Sequence, residues 1–157
     1  MLFRSVPVAS AVVRAGELSV ECAAWPSHTV TMGWEDRLKT RGRRCTDDGI
    51  EFATALPRGT VLHQGDCLPL DAPRIVVVVQ ALEEDVLVVR PASTEEWALW
   101  GYHIGNSHQP MMIAADVIVC ADLTGMEQVL TFHGIPFVRE RRAFTPISQM
   151  PGHHDER

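Results

Sequence analysis

Histidines are the residues of this chain best suited to do chemistry, and the sequence contains seven of them. Imidazole is the commonest side-chain ligand of transition metals and the group that titrates nearest neutral pH. Three of the seven, His28, His63 and His133, stand alone in turn-like sequence, and we interpret them as ordinary surface residues. The other four form two groups, one in the middle of the chain and one at its end.

The central group is His103 and His108, five residues apart around a Gly-Asn pair. A zinc-protease helix needs histidines four residues apart on one face, with a glutamate between them. Five residues turn a helix by about 140° from one side chain to the other, so these two cannot form that pair. His103 falls in the last turn of a predicted helix with two tryptophans, and we interpret it as a packed or capping residue.

His108 lies on the loop between that predicted helix and a predicted strand. A side chain at such a position is displayed outward by a rigid scaffold. One displayed imidazole holds a metal ion poorly. If two copies of the chain meet at this loop around a two-fold axis, the same residue is supplied twice and forms a bis-histidine site.

The terminal group is His153 and His154, followed by Asp155 and Glu156. Two imidazoles and two carboxylates at a chain terminus can wrap onto a metal site elsewhere in the molecule. The alternative is a solvated end without a ligand role, and the sequence leaves both open.

Signatures of catalysis are missing from the sequence. It contains no GxSxG elbow, P-loop, GxGxxG motif or histidine motif with a glutamate. The runs of acidic residues at 47–48, 83–85 and 95–96 lie in turns or at a helix start, where we expect them to be solvated. Cys120 ends an apolar run, which favours packing over the alternative of a metal ligand. We predict that the protein is not an enzyme.

Composition limits the class of partner. A hydrophobic fraction of 46% with 22% charged residues excludes disorder over most of the length. A net charge of −6 argues against nucleic acid, and the one basic cluster is Arg41, Arg43 and Arg44. No apolar run reaches the roughly 18 residues of a membrane span. We therefore expect neither nucleic acid nor a membrane as partner.

The cysteines and the start of the chain bear on the compartment. The four cysteines show neither CxxC spacing nor a disulfide framework. The first residues are apolar, but they lack the basic segment and the length of a signal peptide. We predict a cytoplasmic protein with reduced thiols.

The first half of the chain predicts short strands separated by turn signals. Residues 18–23 and 51–55 have strand-like composition, whereas 29–32 and 43–46 alternate too weakly to be assigned. We expect a small all-β N-terminal domain over 1–73, with the boundary at the Asp71-Ala72-Pro73-Arg74 turn.

The second half predicts an α+β domain over 74–145. It opens with an apolar run at 75–79, and further strands are expected at 85–89, 111–115, 117–120 and 136–144. One helix should begin at Thr94, with Ser93 and Glu96 as a capping box, and end at Gly105-Asn106. A second helix should span 123–132. From residue 85 this order is the βαββαβ arrangement of ferredoxin-like folds, followed by a polar tail over 146–157.

Seven short motifs run through the chain in a fixed order. Those of the first half are Trp34-Glu35-Asp36-Arg37, Arg41-Gly42-Arg43-Arg44, Thr46-Asp47-Asp48-Gly49, Leu56-Pro57-Arg58-Gly59-Thr60-Val61-Leu62 and Gly65-Asp66. Those of the second half are Val86-Leu87-Val88-Val89-Arg90-Pro91 and Tyr102-His103-Ile104-Gly105-Asn106-Ser107-His108-Gln109-Pro110. Each motif alone is weak. Together they are specific, and the sequence resembles the urease accessory protein UreE family over nearly its whole length.

The resemblance implies a peptide- or partner-binding N-terminal domain, a ferredoxin-like metal-binding domain and a homodimer formed through that second domain. It implies that His108 of both subunits is the principal ligand of Ni²⁺, with His153 and His154 adding further ligands. The implied function is delivery of nickel to the urease apoprotein together with an accessory GTPase. Zn²⁺ suits the same imidazole donors, so the residues do not distinguish the two metals.

Three departures from the family pattern limit what the resemblance implies. Ser107 stands where arginine is usual, which removes a charge beside the site but not the ligand. The region around Asp122 and Thr124 lacks the additional histidines of some members. The tail has only two histidines, so we expect few ions per dimer.

Two alternative functions remain open from the sequence. The first is a partner-binding adaptor of urease assembly with little metal role. The second is a small metal-dependent hydrolase that uses His108 with an acid, for which the sequence offers no evident general base.

Overall fold

The structure, a computed structural model, describes residues 6–147. The chain divides between Leu82 and Glu83 into two compact units. Among the helices within 6–147, none is both long and apolar enough to cross a lipid bilayer.

The first unit contains two three-stranded sheets and two short helices. Its elements are β1 (Val8–Ala9), α1 (Val20–Ala23), β2 (Ser27–Met32), α2 (Trp34–Leu38), β3 (Arg41–Cys45), β4 (Glu51–Ala55), β5 (Cys67–Asp71) and β6 (Arg74–Ala81). One sheet has the order β1-β4-β3 and the other the order β2-β6-β5. The central strands β4 and β6 each pair with one parallel and one antiparallel neighbour.

A single apolar core holds this unit together. In β4, Phe52 and Thr54 are buried between exposed Glu51 and Ala55, which is the alternation of a strand with one face on a core. Strands of both sheets contribute buried apolar side chains to the cluster: Ala9, Val30, Met32, Phe52, Leu56, Leu62, Leu68, Leu70, Ile75, Val77 and Val79. Each large side chain buried in this way contributes about 1.5–3 kcal/mol.

Some local predictions for this unit were wrong. Residues 18–23, predicted as a strand, contain the short helix α1, because Ser19 accepts a hydrogen bond from the Cys22 amide at 3.1 Å and caps it. The weakly alternating segments form β2 and β3, since pairing with β6 and β4 outweighs local propensity.

The predicted domain boundary requires correction. The apolar run at 75–79 forms a strand as predicted, but that strand, β6, pairs with β2 and β5 of the first unit. It is the central strand of its sheet, which explains a nearly continuous apolar sequence. The division therefore lies between Leu82 and Glu83, not between 73 and 74.

The second unit is ferredoxin-like, as the sequence predicts. Its elements are β7 (Glu83–Val89), α3 (Thr94–Asn106), β8 (Met111–Ala114), β9 (Val117–Ala121), α4 (Thr124–Phe132) and β10 (Val138–Ala143). The sheet order is β10-β7-β9-β8 and every pair is antiparallel. The strand–helix–strand–strand–helix–strand order confirms the predicted α+β class.

The start of α3 follows its sequence signal. The Ser93 hydroxyl accepts a hydrogen bond from the Glu96 amide at 3.1 Å, and the Glu96 carboxylate accepts one from the Ala92 amide at 2.6 Å. This reciprocal pair is the predicted capping box with one difference. The Glu96 carboxylate accepts from the amide of Ala92, the residue before the N-cap, and not from the amide of the N-cap residue Ser93 itself.

The helices α3 and α4 share a core with the middle strands. Buried side chains from α3, α4, β7 and β9 form it: Leu87, Val89, Ile104, Ile118, Cys120, Met126, Leu130 and Ile135. Trp97 and Trp100 of α3 pack against this cluster together with Ile104. This inner face fixes the rotation of α3 and with it the direction of the loop that follows.

Candidate metal centre

The C-terminus of α3 runs one residue further than predicted. Gly105 and Asn106 are helical instead of forming a left-handed cap, and Ser107 is the C-cap residue with right-handed backbone. The Ser107 hydroxyl donates to the Ile104 carbonyl at 2.6 Å and accepts from the Gln109 amide at 3.3 Å. These bonds fix the backbone on both sides of His108.

His108 is the residue at which the chain turns away from α3. Its φ of 56° lies in the left-handed region, and its amide donates to the Gly105 carbonyl at 3.1 Å. Only one other non-glycine residue within 6–147 has positive φ, Ala115. Such backbone is uncommon for residues with a side chain and clusters at functional sites. The His108 side chain is exposed, in the position that the loop was expected to give it.

His103 packs against a second histidine. Its ring stacks on that of His133 with centroids 3.8 Å apart and planes 18° from parallel. Tyr102 contacts the His103 ring edge-on at 5.4 Å, and Phe132 contacts the His133 ring at 4.9 Å. The interpretation of His103 as a packed residue fits these contacts.

His133 is exposed, as the sequence predicts, but it has a contact that the sequence does not predict. It joins the C-cap of α4 to the last turn of α3 through the stack with His103. The linear sequence contains no signal for this contact, because the two histidines belong to different helices and meet only through the fold.

Within residues 6–147, no group of three or more His, Cys, Asp and Glu side chains lies close enough together to hold a metal ion. His108 therefore supplies one candidate ligand from this part of the chain. The other two predicted ligands, His153 and His154, lie outside the described residues.

Cys120 belongs to the apolar core and not to the exposed surface of this loop. It is fully buried in β9 as part of the apolar core. Burial raises the pKa of the Cys120 thiol to about 12. Since the thiolate is the form that binds metals, this environment opposes the alternative ligand role.

The acidic pair at 47–48 is structural rather than freely solvated. Asp47 accepts hydrogen bonds from the Thr29 hydroxyl at 2.7 Å and the Thr31 amide at 2.9 Å, which lower the pKa of its carboxyl. Asp48 lies 2.6 Å from His28 Nδ1. These contacts hold the turn between β3 and β4 against β2.

Family models match both units of the chain. The model described as the UreE urease accessory protein, N-terminal domain, matches residues 14–81, and that for the C-terminal domain matches residues 84–157. The chain belongs to the UreE family. The gap between the two matches falls at the division between the units, so family and structure agree on the corrected boundary of this UreE chain.

Curated UreE proteins resemble the chain over most of its length. The urease accessory protein UreE of Synechococcus sp. (strain JA-3-3Ab) is 37% identical over 119 residues, which cover 76% of this chain and 78% of the relative. That of Citrobacter koseri is 34% identical over 142 residues, 86% of this chain and 92% of the relative. That of Paraburkholderia xenovorans is 41% identical over 90 residues but is matched over only 40% of its length. Membership of the UreE family implies a role in urease maturation.

Proposed function

We propose that this UreE-family chain is a non-catalytic metallochaperone that binds Ni²⁺ and delivers it to the urease apoprotein with an accessory GTPase. The observation that supports this function best is the placement of His108. An exposed imidazole stands on a left-handed residue whose backbone is hydrogen-bonded to the end of α3.

The proposed site is shared by two subunits. A lone imidazole binds Ni²⁺ weakly, and stable sites in proteins usually have three or four ligands. A homodimer with its two-fold axis at this loop brings two copies of His108 together. His153 and His154 of one or both chains then supply further donors. Zn²⁺ competes for the same ligands, because imidazole suits both ions.

A carrier must collect its metal and also release it. In the proposed site the ligands belong to an exposed loop and to chain ends, so they can leave the ion one at a time. Stepwise ligand loss allows a receiving protein to replace each donor in turn. The four cysteines have free thiols, which is consistent with work in the reducing cytoplasm.

Calorimetric titration of the full chain with Ni²⁺ tests the proposal. The wild type should show a tight site near one ion per two chains, and His108→Ala should lose it. A chain truncated before His153 should keep the site with weaker affinity. His63→Ala, which removes another exposed histidine, is the matched control and should bind as the wild type does.

Retention of the tight site in His108→Ala would place the metal elsewhere and overturn the shared-histidine proposal. If that variant also supported urease activation at the wild-type level, the chain would act as an adaptor of urease assembly. Hydrolytic turnover by the nickel- or zinc-loaded wild type would contradict the non-catalytic assignment.

The proposed site also predicts a dependence on pH. Imidazole binds metal only in its neutral form, and its ordinary pKa is about 6.5. Nickel affinity should therefore fall as the pH is lowered through this range, by tenfold or more between pH 8 and pH 5.5. The same affinity at both values would contradict a histidine-only site.

A further inference from the structure

The strand β3 forms a free edge of its sheet. In the order β1-β4-β3 it pairs with β4 on one side, and no other strand within 6–147 pairs with its outer side. The Leu56 amide donates to the Thr40 carbonyl at one end, and the Thr46 amide to the Ile50 carbonyl at the other. These bonds fix which residues of β3 face β4.

The outward backbone groups belong to Arg41, Arg43 and Cys45. In an antiparallel pair, alternate residues direct both N–H and C=O toward the partner strand. Thr40 and Thr46 do so, and hence also Gly42 and Arg44 between them. The N–H and C=O groups of the odd-numbered residues point away from the sheet, where they can pair with another chain.

The side chains of this edge divide between two faces. Arg44 and Gly42 lie opposite the buried residues Phe52 and Thr54, so they belong to the core face. Arg41 and Arg43 lie on the opposite face and are exposed. The free edge therefore presents two guanidinium groups at alternate positions, beside its outward amides.

The two guanidinium groups have no carboxylate partner within residues 6–147. The edge strand β10 of the second unit is different, because each of its three arginines has an ion pair: Arg139 with Asp122 and Glu127, Arg141 with Asp85, and Arg142 with Glu140. Arg41 and Arg43 therefore leave the free edge of β3 with an uncompensated positive charge, in a chain whose net charge is −6.

We propose that the free edge of β3 binds an extended segment of another protein with carboxylates at alternate positions. The segment adds as a further strand, its backbone pairs with residues 41, 43 and 45, and its carboxylates contact Arg41 and Arg43. Five strand residues span about 17 Å, so a segment of about five residues fills the edge.

A second copy of the chain does not fit this edge. Two β3 strands paired around a two-fold axis would place arginines opposite arginines, and like charges opposite each other destabilise a strand pair. The same charges deter uncontrolled edge-to-edge association. An acidic segment turns that repulsion into attraction, which is why the occupant is identified by its carboxylates.

Fluorescence anisotropy with a labelled Val-Glu-Val-Glu-Val-Glu-Val peptide tests the inference on the full chain. The double variant Arg41→Glu/Arg43→Glu should bind the peptide about tenfold more weakly or worse, because two attractive arginine–carboxylate pairs become repulsive carboxylate–carboxylate pairs. The matched control is Arg58→Glu with Arg74→Glu, which removes two other exposed arginines without ion pairs in the described part of the chain. This control changes the net charge equally and should bind nearly as the wild type does.

Two further measurements separate strand addition from simple charge attraction. A peptide methylated on alternate amide nitrogens along its pairing edge should bind at least tenfold more weakly, although its charge is unchanged. In the unmethylated complex, hydrogen exchange at the Arg43 and Cys45 amides should slow. Equal binding of both peptides, or protection elsewhere, would overturn the inference.

The remaining outcomes also decide the question. No binding by the wild type would mean that Arg41 and Arg43 serve only to block edge pairing. Binding that appears only after removal of 148–157 would identify the chain's own end as the occupant. His108→Ala should leave peptide binding unchanged, so failure of this inference and failure of the shared-histidine proposal can be told apart.

Discussion

His108 has a backbone conformation that few residues with a side chain adopt. The left-handed region brings Cβ close to the backbone and costs such residues on the order of 1 kcal/mol. The neighbouring bonds from Ser107 and the His108 amide maintain this conformation. A residue without Cβ would be more stable here. Backbone of this kind clusters at functional sites, which is in keeping with the ligand role proposed for His108.

Replacement of His108 by glycine and by alanine separates backbone strain from ligand loss. Both variants should lose the tight nickel site. His108→Gly should exceed His108→Ala in free energy of unfolding by about 1 kcal/mol, because only glycine relieves the φ of 56°. Urea denaturation measures the difference.

Ala115 provides the control, since it is the second non-glycine residue with positive φ in the described range. Ala115→Gly should gain a similar stability without effect on nickel. Equal stability of the alanine and glycine variants at 108 would show that this backbone is not strained.

The cysteines differ in reactivity because they differ in burial. Cys45 is exposed on β3, whereas Cys120 is buried and its thiol has a pKa raised to about 12. At pH 8 only about one Cys120 in ten thousand would be a thiolate. Iodoacetamide followed by mass spectrometry should label Cys45 in the folded chain and Cys120 only after denaturation. Rapid labelling of folded Cys120 would contradict its placement in the core.

Sequence motifs located His108 but could not locate its surroundings. The sequence predicts that His108 is displayed on a loop, and the structure places it exposed on that loop. This prediction succeeds because the helix before the loop and the strand after it have strong sequence signals. The stack of His103 on His133 depends on how α3 and α4 pack, and no local pattern encodes it. Whether His108 binds metal remains a prediction.

At the scale of elements, the stability of helix α3 depends on the hydrogen bond that caps its first turn. The Ser93 hydroxyl bonds the Glu96 amide, one of the donors that a helix start leaves unsatisfied. Ser93→Ala should lower the free energy of unfolding by about 1 kcal/mol in urea denaturation. Ser93→Asp, which restores an acceptor, is the control and should stay close to wild type. A loss as large in Ser93→Asp would show that the cap is not the cause.

The turn between β3 and β4 predicts a response to acid. Hydrogen bonds from Thr29 and Thr31 lower the pKa of Asp47 below its ordinary value of 3.8. A carboxyl whose folded pKa is depressed stabilises the fold above its unfolded pKa, and this stability is lost as the pH falls toward the folded pKa. Below about pH 4 the wild type should therefore lose stability more steeply than Asp47→Asn.

Thermal unfolding followed between pH 5 and pH 2 measures this difference. The control is Asp116→Asn, which alters an exposed carboxyl of the second unit. Parallel pH curves for wild type and Asp47→Asn would contradict the assigned role of Asp47.

Element predictions succeeded where a local signal and the tertiary environment agreed. The capping box and apolar spacing placed α3 and α4 to within a residue or so. Residues 18–23 have strand-like side chains, yet Ser19 offers the backbone a local cap and the segment turns into α1. β2 and β3 needed their partner strands, which a local pattern cannot supply.

For the whole molecule, each unit has its own apolar core. One cluster draws its residues from 9–79 and the other from 87–135. Leu68 is fully buried in the first and Leu130 in the second. Either Leu→Ala change should cost about 2–5 kcal/mol, because it leaves a cavity in a packed core.

Hydrogen exchange should locate each loss within one unit. Leu68→Ala should reduce protection of amides before Leu82, and Leu130→Ala that of amides after Glu83. Each variant serves as the control for the other. Equal loss of protection in both units from either change would show that the two cores unfold together.

The domain boundary was the main error at this scale. An apolar strand that follows a turn has the same sequence pattern whether it is the last strand of one domain or the first strand of the next. Only the pairing of β6 between β2 and β5 assigns it to the first unit. The ferredoxin-like order of the second unit did not depend on this strand and was predicted correctly.

The fixed backbone at His108 sets the timescale on which its imidazole can move. With φ constrained and the flanking amides bonded, the ring reorients only through its two side-chain torsions. Exposed side chains change rotamer in picoseconds to nanoseconds, whereas loop and domain rearrangements take microseconds to milliseconds. In the proposed site, release of the metal would then need no rearrangement of the backbone at His108. The rate of transfer would then follow the ligand-exchange chemistry of the ion and the donors of the receiving protein.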